Sequence, residues 1–273
     1  MSPTGQAFPP VAVAPLREGL PQDAVDRPLA GFARDYPDGA ETGWHHHARV
    51  QLLYGLRGVM RIATAGASFV LPAGLALWVP GGTPHALRMQ GEVAMRALFL
   101  RADAAGAGPQ RPQVLGVSPL LRELILATCA EPVEWAERGR GPHLAALILD
   151  EIRHAPRLPF GLPEPRDPRL RRLAALLRER PGREEGLEEW SALVGASPRT
   201  LSRLFRRETG LSFAAWRQAL RLTEAGALLA GGLPPARAAA AVGYASTAAF
   251  GAAFRAAFGM TPGMAARPPA PGR

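Results

Sequence analysis

The chain predicts an α+β protein of two domains: a β-rich N-terminal barrel or sandwich with flanking helices, then an all-helical C-terminal domain. Three observations carry that reading. Short apolar runs broken by Gly and Pro fill residues 30–100: VQLLYGL, GVMRIAT, ASFVLPAG, LALWVPGG, HALRM and VAMRALFL. Runs of this length between turn residues are strands of an antiparallel barrel or sandwich. From about residue 117 the leucines and isoleucines recur at helical spacing instead. The charge is divided as well. Residues 1–165 carry 15 Arg against 15 Asp and Glu, whereas 166–273 carry 17 Arg against 8, so the net charge of +9 lies wholly in the C-terminal segment. Segregation of this kind suits one domain that faces a polyanion and one that does not.

Composition excludes several classes. With 47% hydrophobic and 20% charged residues over 273 positions, the chain is globular and long enough for two cores. No apolar run approaches the ~20 residues of a membrane span. The start, MSPTGQAFPPVAVAPLREG, has no basic region ahead of an apolar stretch. Cys129 is the one cysteine, which rules out an internal disulfide framework and a Cys-rich zinc module. The expected compartment is the cytoplasm, with no membrane partner.

In order, residues 1–29 are Pro- and Ala-rich without a period and read as a flexible lead-in. Residues 30–116 form the barrel. Residues 117–155 hold two helices, SPLLRELILATCAEP and PHLAALILDEIRHA. Their apolar stripe, Leu121, Leu124, Ile125, Leu147, Ile148 and Ile152, exceeds what a small barrel can cover, so these residues are expected to pair two copies into a homodimer. Residues 156–166 lie in APRLPFGLPEPRDP, five prolines in fourteen residues, and read as an extended linker. Residues 167–266 are helical throughout, opening on Asp167-Pro168 as N-cap and first turn. Residues 267–273 read as a disordered tail.

The helical region contains a repeat. EEWSALVGASPRTLSRLFRRETG and ARAAAAVGYASTAAFGAAFRAAFG each place a small residue (Ser191, Ala239) four before a glycine (Gly195, Gly243). Each glycine follows a valine, Val194 or Val242, and precedes a Ser-initiated helix ending near Phe-Arg. A glycine there permits a left-handed turn, and the small residue lets two helices cross closely. That is a helix-turn-helix pattern, whose second helix enters the DNA major groove. The helix joining the copies, about Phe213 to Leu229, is ~26 Å long, enough to seat two recognition helices on successive groove segments.

SPRTLSRLFRRETGLSFAAWRQALRL and VGYASTAAFGAAFRAAFGMTP resemble the DNA-binding domain of the AraC/XylS family of bacterial transcription regulators. The resemblance spans about Asp167 to Ala266 and implies two helix-turn-helix subdomains on adjacent major grooves of double-stranded promoter DNA, with RNA polymerase as a further partner. The chain departs from the family pattern at Ala238 and Ala240, where bulky aliphatics are usual, and at Ala265, where a tyrosine is. Both departures predict a thinly packed second subdomain.

The first recognition helix exposes Arg199, Thr200, Ser202 and Arg203 at its N-terminal end while Leu201 and Leu204 face inward. Arg199 and Arg203 share a face and can each fork onto guanine. Arg206 and Arg207, a turn later, suit phosphate. By resemblance the second helix offers Thr247, Ala248, Gly251 and Ala252. These short side chains reach a thymine methyl or make one hydroxyl contact, leaving Arg255 for phosphate.

Residues 45–47 are three consecutive histidines. His45, His47 and Gln51 share parity, so on a continuous strand they face one side. His85 follows in VPGGTPHALRM. The spacings His45-x-His47-x3-Gln51-x6-Gly58 and Gly74-x5-Pro80-x-Gly82-x2-His85 resemble both motifs of the cupins. Three departures stand out: Gln51 replaces the usual Glu, Met89 the usual Asn, and no Gly lies five before His45. The resemblance implies a double-stranded β-helix barrel and a sensor for a small-molecule effector or a metal. Three imidazoles and an amide suit one divalent Zn, Fe, Mn, Ni or Cu. Trp44, Tyr54, Phe69 and Trp78 read first as core residues, with the walls of a pocket as the alternative. The competing reading is a metal-dependent cupin enzyme fused to a DNA-binding domain. Against it, no Asp or Glu lies between Glu41 and Glu92, which leaves the motifs without a local acid or base. The chain is accordingly read as a regulator with no catalytic residues.

Overall fold

A computed structural model describes residues 19–106 and 108–266. The first eighteen residues of the expected lead-in and the tail from 267 lie outside them. The chain divides into two compact units, one made of 19–64 and 71–160, the other of 65–70 and 161–266.

The first unit opens on a short helix, α1 (Pro21–Ala24). Its strands are β1 (Leu29–Tyr36), β2 (Val50–Thr64), β3 (Ala67–Pro72, whose first residues belong to the other unit), β4 (Leu75–Val79) and β5 (His85–Leu100). After a short helix α2 (Ala102–Ala105) comes β6 (Gln113–Gly116). Two long helices, α3 (Pro119–Ala130) and α4 (Arg140–His154), precede β7 (Arg157–Leu158). The sheet runs β1-β5-β2-β4-β6-β7, and every pair in it is antiparallel. This is the barrel architecture expected of 30–116.

Strand parity gives the sheet two faces. Leu52, Tyr54, Trp78, Leu98 and Leu100 form one buried cluster with Leu121, Leu124 and Ile125 of α3 and Leu144, Ile148 and Ile152 of α4. Gln51, Leu53, Ala97 and Phe99 point the other way. Ser118 caps α3 through Leu121 N and donates to Glu151 of α4 at 2.5 Å, which ties the two helices together. The expectation that the helical stripe pairs two copies is therefore corrected. Leu121, Leu124, Ile125, Ile148 and Ile152 are buried within one chain, and of the six only Leu147 is exposed, at 49%. The barrel's outer face is itself apolar and takes up the stripe. Tyr54 and Trp78 lie under the same helices, not in a pocket beside the histidines.

The lead-in is structured from residue 19 onward. Arg49, 7% exposed, reaches under it and donates to the carbonyls of Asp23, Val25 and Arg27. The expected linker is extended yet paired. Leu158 lies opposite Val114 in the barrel unit, and Leu162 of β8 (Gly161–Pro163) opposite Ser68 in the other. Leu162 is buried in the helical core, so this segment is held by its apolar residues despite its prolines.

The second unit contains α5 (Pro168–Glu179), α6 (Leu187–Val194), α7 (Pro198–Thr209), α8 (Phe213–Ala230), α9 (Pro235–Ala241), α10 (Thr247–Phe258) and α11 (Pro262–Ala265). Caps fall where the sequence puts them: Asp167, Ser197, Ser212 and Ser246 each accept a backbone N–H of their helix's first turn. Trp190, Phe205 and Trp216 fill the first subdomain's core. In the second, of the two alanines that depart from the family pattern Ala238 is buried and Ala240 is exposed, so only the first bears on packing, and a ladder of rings lies beside it in the core. Tyr244, Phe250, Phe254 and Phe258 stack in sequence with centroids 5.4, 5.5 and 4.6 Å apart.

Two contacts yield predictions. A Cβ on Gly31 would lie 2.5 Å from Thr128 O and 2.7 Å from Cys129 Cα, both backbone of α3. Gly31→Ala must push α3 off the sheet, with an expected loss of about 1–3 kcal/mol read from the urea midpoint. Arg221 of α8 donates to Pro181 O and Arg183 O at 2.9 and 2.8 Å and to Gly243 O at 3.3 Å. It joins the loop after α5 to the turn of the second subdomain. Arg221→Ala should speed amide exchange in both segments.

Candidate functional site

Two sites emerge, one in each unit. In the helical unit, α6 turns into α7 through Gly195, left-handed at φ +68°, and α9 turns into α10 through Gly243 at φ +80°. Gly195 has open space around it. Gly243 does not: a Cβ would lie 2.8 Å from Gly182 Cα. The first turn needs glycine for its backbone, the second for both backbone and close packing.

On α7, Leu201, Leu204 and Phe205 are buried while Arg199, Arg203, Arg206 and Arg207 are exposed. Arg207 pairs with Glu208 at 3.1 Å. Arg199, Arg203, Arg206 and Arg255 form no ion pair among the described residues. Their charge is left to attract a polyanion. Ser202 is half-buried, and the Thr200 hydroxyl is occupied by the cap of its own helix, 2.9 Å from Ser197 Oγ. On α10, Thr247, Ala248 and Ala252 are exposed, with Arg255 beyond them.

The second site is built on the paired ends of the barrel strands. His45 and His85 lie directly opposite one another and exchange both backbone hydrogen bonds, at 2.9 and 2.8 Å. Their rings are 4.4 Å apart, and His47 sits 5.1 Å from the first and 5.8 Å from the second. One nitrogen from each ring comes within 4.8 Å of the others. The sequence placed these residues together for a partly different reason. The backbone leaves extended geometry between 46 and 49, so His45, His47 and Gln51 do not ride one continuous strand. Gln51 still faces the same way: it pairs with Phe99, whose ring packs 4.9 Å from His47.

Each Nδ1 is already engaged. His45 Nδ1 meets Gly43 O at 2.9 Å, His85 Nδ1 meets Thr83 O at 2.8 Å, and His47 Nδ1 meets Asp23 Oδ2 at 2.7 Å. A carbonyl or carboxylate only accepts, so each Nδ1 carries a proton, and in a neutral ring Nε2 is then the nitrogen with the lone pair. His85 Nε2 is buried with no partner, and so is Gln51 Oε1. Burial, followed by the neighbouring His45, pushes His85 down to about 3, which keeps it a neutral donor ligand. Three converging imidazoles with two orphaned buried acceptors fit a divalent ion of the Zn, Fe, Mn, Ni or Cu type. Asp23 is the residue that sequence reasoning missed. It lies 24 positions from His47, in a stretch without periodic signal.

Comparison with known proteins matches two domains in the chain. Residues 33–101 match a cupin domain and 190–267 a helix-turn-helix domain. Over 219 residues the chain is 32% identical to the HTH-type transcriptional regulator NimR of Escherichia coli K12, covering 80% of each chain. It is 38% identical over 121 residues to RipA of Corynebacterium glutamicum, 44% of this chain and about a third (34%) of that one. Among solved structures, unsaturated-fatty-acid-bound ToxT of Vibrio cholerae aligns over 86% of this chain and 93% of its own, at 9% identity and a TM-score of 0.36. The chain belongs to the AraC-type helix-turn-helix transcriptional regulators that carry an N-terminal cupin domain. Among the described residues no helix is long and apolar enough to cross a membrane.

Proposed function

We propose that the chain is a one-component regulator in the cytoplasm whose cupin barrel senses a divalent metal or a small-molecule effector and whose helical unit reads a promoter. The observation that carries the sensor half is the convergence of His45, His47 and His85, one ligand atom of each within 4.8 Å of the others. The chain is not an enzyme in this reading, since no Asp or Glu lies between Glu41 and Glu92 and the Asp23 carboxylate is paired with His47. RNA polymerase is the further partner that promoter binding brings into reach. Two copies would meet through the exposed Leu120 and Leu147 of α3 and α4, because the rest of the helical stripe is used within the chain.

The two recognition helices divide their work. Arg199 and Arg203 of α7, with Thr200 and Ser202, contact bases, and Arg206 and Arg207 contact phosphate. On α10, Thr247 and Ala248 add at most a methyl or hydroxyl contact, and Arg255 holds phosphate. In a binding-site selection, Arg203→Ala should cost about 1–3 kcal/mol and relax one position of the motif. Arg255→Ala should weaken all sequences alike and lower the salt slope by about one. An even loss from Arg203→Ala would refute the division.

The metal reading has its own test. Protein purified without a metal column should contain up to one equivalent of a divalent metal by elemental analysis. Replacing His47 and His85 together by Ala should remove it while leaving promoter DNA retardation by the full chain intact at saturating protein. A wild-type protein that binds none of the five metals would leave the small-molecule effector as the ligand.

A further inference from the structure

The three-histidine centre has a peculiar charge balance. The fourth position of the motif is an amide, Gln51, whose Oε1 is buried without a partner, so residues at all four motif positions are neutral donors. Two positive charges inside a barrel wall need compensation, and none of the four supplies it. The first unit does bring one carboxylate to the cluster's edge. Asp23 stands on α1, and its Oδ2 is 2.7 Å from His47 Nδ1, with the Asp23 side chain 14% exposed and that of His47 10%. Asp23 Oδ1 is buried and has no partner. The carboxylate is not among the groups whose ligand atoms converge, so it stands one residue removed from the centre.

Its position is built. The buried Arg49 guanidinium donates to Asp23 O at 3.2 Å and to Arg27 O at 2.9 Å, and also to Val25 O. Gln22, itself buried, donates to Gly31 O at 3.2 Å on the first strand. Arg27 donates to Trp135 O at 2.6 Å and lies over that ring. Residues 22–27 are thus fastened on both sides of Asp23, which fixes the backbone that carries the carboxylate.

We propose that Asp23 is the positioning residue of the three-histidine centre: it holds His47 in the Nδ1–H tautomer, with Nε2 presented to the ion, and supplies the negative charge that Gln51 lacks. The inference rests on reading the cluster as a divalent-metal centre. A carboxylate behind a ligand imidazole fixes the ring and raises its basicity, and loss of such a partner typically weakens metal binding by about 10–100-fold. Asp23 and Gln51 are then two halves of one arrangement, the charge having moved from the ligand set to the residue behind it.

The test uses the full chain and Co2+, titrated in competition with a chelator and followed by its visible absorption. Asp23→Asn removes the charge but leaves an acceptor, and should weaken Co2+ about 10-fold or more. Asp23→Ala removes the acceptor too and should weaken it further. The 15N shifts of His47 in metal-free protein should report Nδ1–H in the wild type and a tautomer mixture in Asp23→Ala, which a merely structural role would not produce. His85→Ala is the control for the centre itself. If His85→Ala binds Co2+ like the wild type, or the wild type binds none, the metal reading fails and the inference with it. If His85→Ala loses Co2+ while Asp23→Asn keeps wild-type affinity, the centre stands and the role of Asp23 is refuted. Should Asp23→Ala not fold, Asp23→Asn decides alone.

Discussion

The pairing of β2 with β5 supports both faces of the barrel unit. The two strands run antiparallel from Val50 opposite Leu100 to Thr64 opposite His85, with irregularities between Gly55 and Val59 where the strands bend. At the Thr64 end this register delivers His85, which an isolated bridge sets against His45. At the Val50 end it places Gln51 beside Phe99, and through that ring beside His47. A slip of one residue would turn Gln51 outward and bring Leu52 in, exchanging the polar site for the surface that carries the helices. One hydrogen-bond ladder therefore decides where the ligands are and where α3 and α4 dock.

The helices complete that arrangement from outside. A sheet apolar on both faces cannot end in water on either, and α3 and α4 cover the one that the site does not use. Gly31 marks how close they come, since its missing side chain is where the backbone of Thr128 and Cys129 rests. Cys129 is half-buried there, with its thiol pushed up to about 11 by that partial burial, and acts as a small apolar residue. The site end is treated in the opposite way: the Nδ1 atoms of His45, His47 and His85 each meet an acceptor, and His85 Nε2 is buried without one.

Electrostatics separates the two units as clearly as packing does. In the barrel unit arginine serves structure, as where Arg49 gathers three carbonyls or Arg96 pairs with Asp35 at 2.9 Å. In the helical unit Arg178, Arg217 and Arg221 do the same, bound to Glu164 or to backbone carbonyls. The arginines that remain include Arg199, Arg203 and Arg206 of α7 and Arg255 of α10, exposed and paired with no acidic group among the described residues. On the second helix of each helix-turn-helix such exposed guanidinium groups suit phosphate and guanine.

Much of this could be read from residue order. Strand lengths, caps at Asp167, Ser197, Ser212 and Ser246, the two glycine turns and the inward leucines of α7 all follow from local rules, because each depends on neighbours within a few positions. The histidine cluster was readable too, through its motif spacing. Three features were not. The sequence could show an apolar stripe on 117–155 but not what covers it, since burial depends on which sheet face lies opposite. The prolines of 156–166 suggested a free linker, whereas buried Leu162 and strand pairing hold the segment. Asp23 lay in a stretch with no period, and only the tertiary structure sets it behind His47. Sequence alone determined what each segment could become. Which apolar face met which, and which carboxylate met the histidines, was decided by contacts between residues far apart in the chain, which no local pattern encodes.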